Sequence, residues 1–189
     1  MKKMRLASCC SVITGTTPKT SNSEYYASED IPFYKPGDLQ EGIPRDLIKS
    51  DSWLSFSARE AARLVPTGSI LVTCIGIIGK VGITTYEESA FNQQINAVVP
   101  ESYLDSKYLA HQLAYRMKIH GNFSNKAVVP IVNKKAFSSI EVLAPPLSEQ
   151  KEVASLFEQI AALQKKQNSS LKKLDELVKS RFNFREVAA

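Results

Sequence analysis

An α+β domain with a twisted sheet, followed by one long C-terminal helix, is the architecture this sequence predicts. Three observations predict it. Strand-like and helix-like stretches alternate without a regular βαβ rhythm up to Ala144. The pair Pro145-Pro146 then stops whatever precedes it. Beyond that pair, residues 147–189 hold neither proline nor glycine and repeat their apolar positions at helical spacing. The domain boundaries follow: a globular domain over 1–146 and a helix over 147–189.

The first 14 residues open with a decoy. Met1-Lys2-Lys3 followed by Leu6-Ala7-Ser8-Cys9 mimics a lipoprotein cleavage box, but the apolar stretch before Cys9 is far shorter than the roughly 7–15 residues a signal peptide needs. Residues 6–13 therefore read as the first structural element of a cytoplasmic protein. No apolar run approaches the ~18 residues of a membrane span. Residues 15–23, GTTPKTSNS, form a polar loop punctuated by Gly and Pro. The tetrapeptide 31–34, IPFY, is a short strand that runs into a turn at 35–38. Residues 57–64 have helical character, 66–68 turn again, and 69–75, SILVTCI, is the strongest buried strand in the chain. Strands are also expected at 83–86, 94–99, 128–132 and 140–143, with a loop at 122–125. Between them, 106–117 places Tyr108, Leu109, Gln112, Leu113 and Arg116 at helix spacing.

With 43% hydrophobic residues the chain has ample material for a core, and disorder as a whole is excluded. The net charge is +5, and its distribution says more than its total. Residues 106–140 contain no Asp or Glu but hold Lys107, Arg116, Lys118, Lys126, Lys134 and Lys135. A second acid-free run, 61–86, carries Arg63 and Lys80. Such clusters are either solubilising surface charge or phosphate contacts to a nucleic acid. The three cysteines, Cys9, Cys10 and Cys74, form no Cys-x-x-Cys pair and suit a reducing compartment. His111 and His120 lack partners at metal spacing, so no metal is expected.

Catalytic motifs fail one by one. Gly76-Ile77-Ile78-Gly79-Lys80-Val81 lacks the hydroxyl after lysine, and the helix after that, which a phosphate-binding loop requires. A hairpin in which glycine supplies positive φ, with Lys80 at its tip, explains it better. Pro145-Pro146 lie between Ala144 and Leu147, which is not the tetrapeptide that holds a target adenine in amino-methyltransferases. No Ser/His/Asp or Cys/His arrangement stands out, and the chain reads as non-catalytic. The amides of Asn92-Gln93-Gln94-Ile95-Asn96 suit either base edges or loop geometry, and the second role is favoured.

At the start of the C-terminal helix, Ser148 is the expected N-cap, with Glu149 and Glu152 in the first turn. Val153, Leu156, Ile160, Leu163, Leu174 and Leu177 follow a 3-4 spacing, the seam of a coiled coil. That register carries Gln167 and Ser170 through its middle as a polar layer, and Phe157, Leu171 and Val178 widen the stripe. A helix of about 40 residues is roughly 60 Å long, too long for one small domain to bury, so it calls for a partner helix.

Five features occur here in the order in which DNA specificity subunits of type I restriction–modification systems carry them. They are Ile13-Thr14-Gly15-Thr16-Thr17-Pro18; Gly68-Ser69-Ile70-Leu71-Val72 running into Gly79-Lys80-Val81-Gly82; Phe91-Asn92-Gln93-Gln94-Ile95-Asn96; Lys107-Tyr108-Leu109; and Pro145-Pro146-Leu147-Ser148-Glu149-Gln150. The chain resembles that family over nearly its whole length. The resemblance implies a target-recognition domain over 1–146 and a spacer helix over 147–189 for dimerisation and methyltransferase docking. Specificity subunits hold this unit twice; one copy here resembles a half-subunit that homodimerises to read an inverted, bipartite site.

It further implies double-stranded DNA, methyltransferase subunits and a restriction/translocase subunit as partners. No cofactor belongs to the chain itself, S-adenosylmethionine being expected in the methyltransferase. For phosphate contact the expected residues are Lys19, Lys35, Lys80, Lys118, Lys126, Lys134 and Lys135; for base contact, Thr16, Thr17, Asn22 and Asn125. The expected dimer seam is Val153, Leu156, Ile160, Leu163, Gln167, Leu171, Leu174, Leu177 and Val178. A regulatory or degenerate fragment that binds methyltransferase subunits without reading DNA is the competing expectation.

Overall fold

A computed structural model describes residues 2–121 and 130–186. The chain divides after Lys151 into two compact units. In chain order the first contains β1 (Lys2–Arg5), β2 (Cys10–Thr14), β3 (Ile31–Tyr34), β4 (Arg45–Leu47), β5 (Trp53–Leu54), β6 (Leu64–Pro66), β7 (Ile70–Thr73), β8 (Val81–Thr84), β9 (Glu88–Phe91), β10 (Ile95–Pro100), α1 (Ser106–Gly121), α2 (Lys134–Ser138) and β11 (Glu141–Ala144). The helix α3 (Leu147–Glu186) starts in it and makes up the described part of the second unit. This is the mixed α+β architecture with a long terminal helix that the sequence predicts.

Among the described residues three sheets form, with strand orders β2-β10-β7-β8-β4, β5-β3-β9-β6 and β1-β11. The strand β7 sits inside the largest sheet, antiparallel to β10 on one side and β8 on the other. Its four residues are all buried because successive side chains enter different cores. Ile70 and Val72 join Val98 of β10 and Leu109, Leu113 and Met117 of α1. Leu71 faces the opposite way with Ile95 and Ala97, against Tyr34, Leu39 and Phe91. The sheet is thus a wall between two cores. A third cluster gathers Ile31, Phe33, Leu54, Ala58 and Ala90 under the four-stranded sheet.

Several local expectations change. Residues 6–13 are not one element: a 3₁₀ turn at Leu6–Ser8 separates β1 from β2. The turn lets the chain switch partners, since β1 pairs with β11 and β2 pairs with β10, while fully buried Leu6 pins the switch in the core. The helical character expected at 57–64 reduces to a 3₁₀ turn at Phe56–Ala58, and Leu64 leaves it to form β6. The strand β6 lies at a sheet edge, where Pro66 costs no ladder bond. The expected strand at 83–86 lies at Val81–Thr84. Of the strand expected at 128–132, residues 128 and 129 lie outside the described residues, as does the loop at 122–125; Ile131 bridges Ile75.

The 74–80 connection is a seven-residue loop with Gly76 at φ +78° and Gly79 at φ +87°. The Thr73 hydroxyl organises it by donating to the Ile77 carbonyl and accepting from the Lys80 N–H. Lys80 stands at the base of this hairpin and not at its tip, because its carbonyl accepts the Thr73 N–H as the first rung of the ladder.

The helix α3 begins at Leu147, two residues earlier than a Ser148 N-cap implies, and the Gln150 N–H donates to the Pro146 carbonyl. Gln150 is fully buried. Its Nε2 donates to the carbonyls of Tyr103 (3.0 Å) and Pro145 (2.8 Å), and its Oε1 accepts the Asp105 N–H at 2.8 Å. One amide therefore ties the first turn of α3, the proline pair and the entry to α1 together. Gln112 on α1 performs a similar task, donating to the Leu143 carbonyl and accepting the Leu143 N–H. Gln150→Leu keeps the volume but strands an N–H and two carbonyls away from water; it should destabilise the domain by roughly 1–3 kcal/mol, measurable as a lower urea midpoint.

Candidate nucleic-acid interface

The polar loop after β2 is bolted to the turn between β9 and β10. The Gly15 N–H donates to the Ile95 carbonyl (3.1 Å) and the Thr16 N–H to the Phe91 carbonyl (3.0 Å). The approach is so close that a Cβ on Gly15 would overlap the carbonyl oxygens of Phe91 and Asn92 and stand 2.7 Å from the Asn92 carbonyl carbon. Glycine is required here for space, not for an unusual φ.

Side chains complete the joint. The Thr17 hydroxyl donates to Gln93 Oε1 at 2.7 Å, and Thr16 Oγ1 accepts the Arg63 N–H at 3.1 Å. Asn22 accepts the Glu24 N–H through its side chain and so caps the 3₁₀ turn at Ser23–Tyr26. The Tyr26 hydroxyl returns to the Pro18 carbonyl. Thr16, Thr17, Lys19 and Asn22 thus lie on one organised loop, together with Gln93 and Arg63.

The amide run that the sequence left between two roles divides its labour. Asn92 is buried; its Nδ2 donates to Gln94 Oε1 and its Oδ1 accepts the Gln94 N–H. Asn96 is buried too, accepting from the Thr14 hydroxyl and donating to Cys74 Sγ. These amides serve the fold. Gln93 is the exposed member.

The remaining expected phosphate contacts fall into further groups. Lys35 Nζ donates to Ser52 Oγ at 2.8 Å and lies 5.5 Å from the Phe33 ring centroid. Lys80 Nζ reaches the Pro36 carbonyl at 3.2 Å, so Lys80 and the 35–38 turn are neighbours. That turn closes as expected, the Asp38 N–H donating to the Lys35 carbonyl and the Asp38 carboxylate accepting the Lys35 and Asp51 N–H groups. Lys118 borders a cavity of ≈ 520 Å³ with Glu41, Ile78, Gly79, His111 and Tyr115. Lys134 and Lys135 are exposed on α2, whose N-cap Asn133 accepts the Ala136 N–H. Asn125 and Lys126 lie outside the described residues.

No cysteine among the described residues is prepared as a nucleophile. Cys9, Cys10 and Cys74 are buried and unpaired, and burial raises all three thiols, Cys74 to about 12, despite the Asn96 N–H that opposes the shift. Burial likewise raises the Tyr34 phenol, whose hydroxyl donates to the Leu47 carbonyl. Among the described residues no group of His, Cys, Asp and Glu is placed to hold a metal ion, and no helix is long and apolar enough to cross a membrane.

The helix of the second unit carries a bare stripe. Leu156, Ile160, Leu163, Leu171, Leu174, Leu177 and Val178 are 48–67% exposed, and Gln167 in their midst is exposed. Val153, nearer the joint, is half-buried.

Solved structures share this arrangement of sheets, loops and long helix. A chain from a type I R-M system, solved to show its complex assembly and conformational transition, is similar over 93% of this chain and 43% of its own length, with a TM-score of 0.73 and 21% identity. The HsdS subunit from Thermoanaerobacter tengcongensis is similar over 86% of this chain and 37% of its own, at a TM-score of 0.66 and 18% identity. These define the fold. The family model of the type I restriction modification DNA specificity domain matches residues 1–173, and the chain belongs to that family.

Curated relatives include the type I restriction enzyme HindI specificity subunit of Haemophilus influenzae, 29% identical over 154 residues. The StySPI specificity subunit of Salmonella potsdam is 24% identical over 195 residues. The alignments take in 78% and 94% of this chain but 33% and 40% of those relatives, so the chain spans well under half their length.

Gly15→Ala should cost about 1–3 kcal/mol, because relief of the overlap means lifting the loop off two backbone carbonyls. Hydrogen exchange should show faster exchange at the amides of residues 15 and 16, with the β7 amides still protected. Unchanged exchange would mean that the loop is not held by this contact.

Proposed function

We propose that this chain is a non-catalytic DNA-recognition unit of a type I restriction–modification complex. In this reading it directs adenine methylation and cleavage performed by partner subunits. Family membership over residues 1–173 carries the proposal. The loop that presents Thr16, Thr17 and Lys19 beside Gln93 supports it, since polar groups held on a rigid sheet edge are what base readout demands. Lysines on separate elements (Lys35, Lys80, Lys118, Lys134 and Lys135) would position the unit on phosphates.

The helix would supply the second half of the site. Its stripe reads the same in both directions about Gln167: Ile160 is matched by Leu174, Leu163 by Leu171, Leu156 by Val178 and Phe157 by Leu177. Such self-complementarity favours an antiparallel two-fold pair with a second copy, in which the two Gln167 amides meet. The paired helices would also present the surface that a methyltransferase subunit docks on.

Selection of bound sequences from a random duplex pool, with and without a methyltransferase subunit, tests the recognition role. A defined motif with inverted symmetry is expected. If no motif emerges in either condition, a methyltransferase-binding protein that does not read DNA takes its place.

Sedimentation of the 189-residue chain tests the pairing. A dimer is expected at tens of micromolar, and a monomer there would sink the two-fold model. The double change Leu163→Asp, Leu174→Asp should give monomers with unaltered unfolding of the first unit, whereas surviving dimers would exclude this seam.

A further inference from the structure

We propose that Gln93 is a base-reading side chain whose amide is pre-aimed by Thr17, and that Arg63, whose backbone is bonded to the same loop, anchors a phosphate. The proposal rests on the DNA-reading role argued above and names the chemistry of one contact within it.

The first support is elimination within the turn. Phe91 is fully buried in a core, Asn92 and Gln94 satisfy one another, and Asn96 bonds Thr14 and Cys74. Gln93 alone in this run turns an exposed side chain outward. The second is its orientation. Thr17, from a loop 76 positions away in sequence, donates its hydroxyl to Gln93 Oε1 at 2.7 Å. With that oxygen engaged by protein, the group left to face a ligand is Nε2, which carries two donors and no acceptor. A glutamine clamped in this way reads differently from a free one: the Thr17 bond occupies one of the two Oε1 lone pairs and turns that oxygen toward the protein, which disfavours the donor-plus-acceptor pair with adenine and favours a base edge that offers acceptors. In the major groove the acceptors are the purine N7 atoms and the keto oxygens; guanine (N7 and O6) and thymine (O4) offer acceptors with no exocyclic amine beside them, whereas adenine and cytosine place a donor there. Clamping also removes rotamer freedom before binding, which lowers the entropic cost of the contact.

The backbone of Arg63 meets the same loop at the residue before Thr17. Its N–H donates to Thr16 Oγ1, and its side chain is exposed without an ion pair among the described residues. Arg59 differs, since it pairs with Glu88. An exposed arginine whose backbone is fixed to a base-reading loop suits a phosphate, a sequence-independent partner.

Bound-sequence selection and titration with the full chain and three variants separate these roles. Gln93→Glu keeps an oxygen for Thr17 but replaces the two Nε2 donors by a second acceptor. It should lose a keto-base preference at one position of the motif, gain cytosine or adenine there, and bind the original motif about tenfold more weakly. Gln93→Ala should leave that position unread, with the rest of the motif intact. Arg63→Ala should select the same motif as the parent chain but bind it more weakly. Its log K against log salt slope should be shallower by about one.

If both Gln93 variants select the parent motif at parent affinity, Gln93 reads nothing and the proposal is overturned while DNA recognition stands. A changed motif for Arg63→Ala would overturn its phosphate role. A parent chain that selects no motif overturns the recognition role itself, and this inference with it.

Discussion

The approach of Gly15 to the carbonyls of Phe91 and Asn92 is the constraint on which the presentation of the polar loop depends. It extends the β2–β10 ladder past its last paired rung, Thr14 with Asn96, into two further backbone bonds to Ile95 and Phe91. A side chain at position 15 would wedge the strands apart at the point where the ladder becomes a loop. Because the contact is backbone on backbone, Thr16 and Thr17 inherit their positions from the sheet and not from their own packing. Loop sequences could then vary outside this joint while the attachment stays in place.

Behind that joint, the wall formed by β7 and β10 separates two cores, and each strand contributes side chains to both. Such a wall resists tilting, because any rotation of β10 disturbs packing on α1 and on Phe91 together. Phe91 is therefore both a core residue and the start of the turn that displays Gln93. Amides do the remaining fastening. Gln150, Gln112, Asn92 and Asn96 each satisfy backbone or side-chain groups that would otherwise be stranded, so the polar interior is as specific as the apolar one.

What could be read from sequence was what local chemistry determines. SILVTCI is apolar and β-branched, and it is a buried strand. The proline pair and the Gly/Pro-free stretch after it announced α3. The 106–117 pattern lies inside α1. What escaped reading depends on distant partners. The strand β9, Glu88-Ser89-Ala90-Phe91, has little intrinsic strand character and exists because β3 and β6 flank it, the first in a parallel pairing from far along the chain.

Residues 57–64 looked helical because nothing local reveals that Leu64 will pair with Ala90. For the same reason Lys80 was expected at a loop tip, although a ladder rung holds it at the base. The interface shows this limit most clearly. The types of Asn92, Gln93 and Gln94 were in plain view, but Asn92 and Gln94 turn to each other and leave Gln93 exposed against Thr17, and no spacing rule encodes those contacts.

The same logic applies to α3, where the sequence carries more than the single chain can use. A stripe that is symmetric about Gln167 gains nothing from its symmetry when it packs on an unrelated surface; an isologous pair uses every matched position twice. In the proposed pair the exposed Gln167 at the centre would cost stability but would select the register in which two amides meet, since a slip would bury one amide against a leucine. Two-fold pairing then carries a consequence that does not depend on how each unit is posed on its helix. Units related by a two-fold axis must present the same loop in opposite senses, so the sequences they read must be inverted copies.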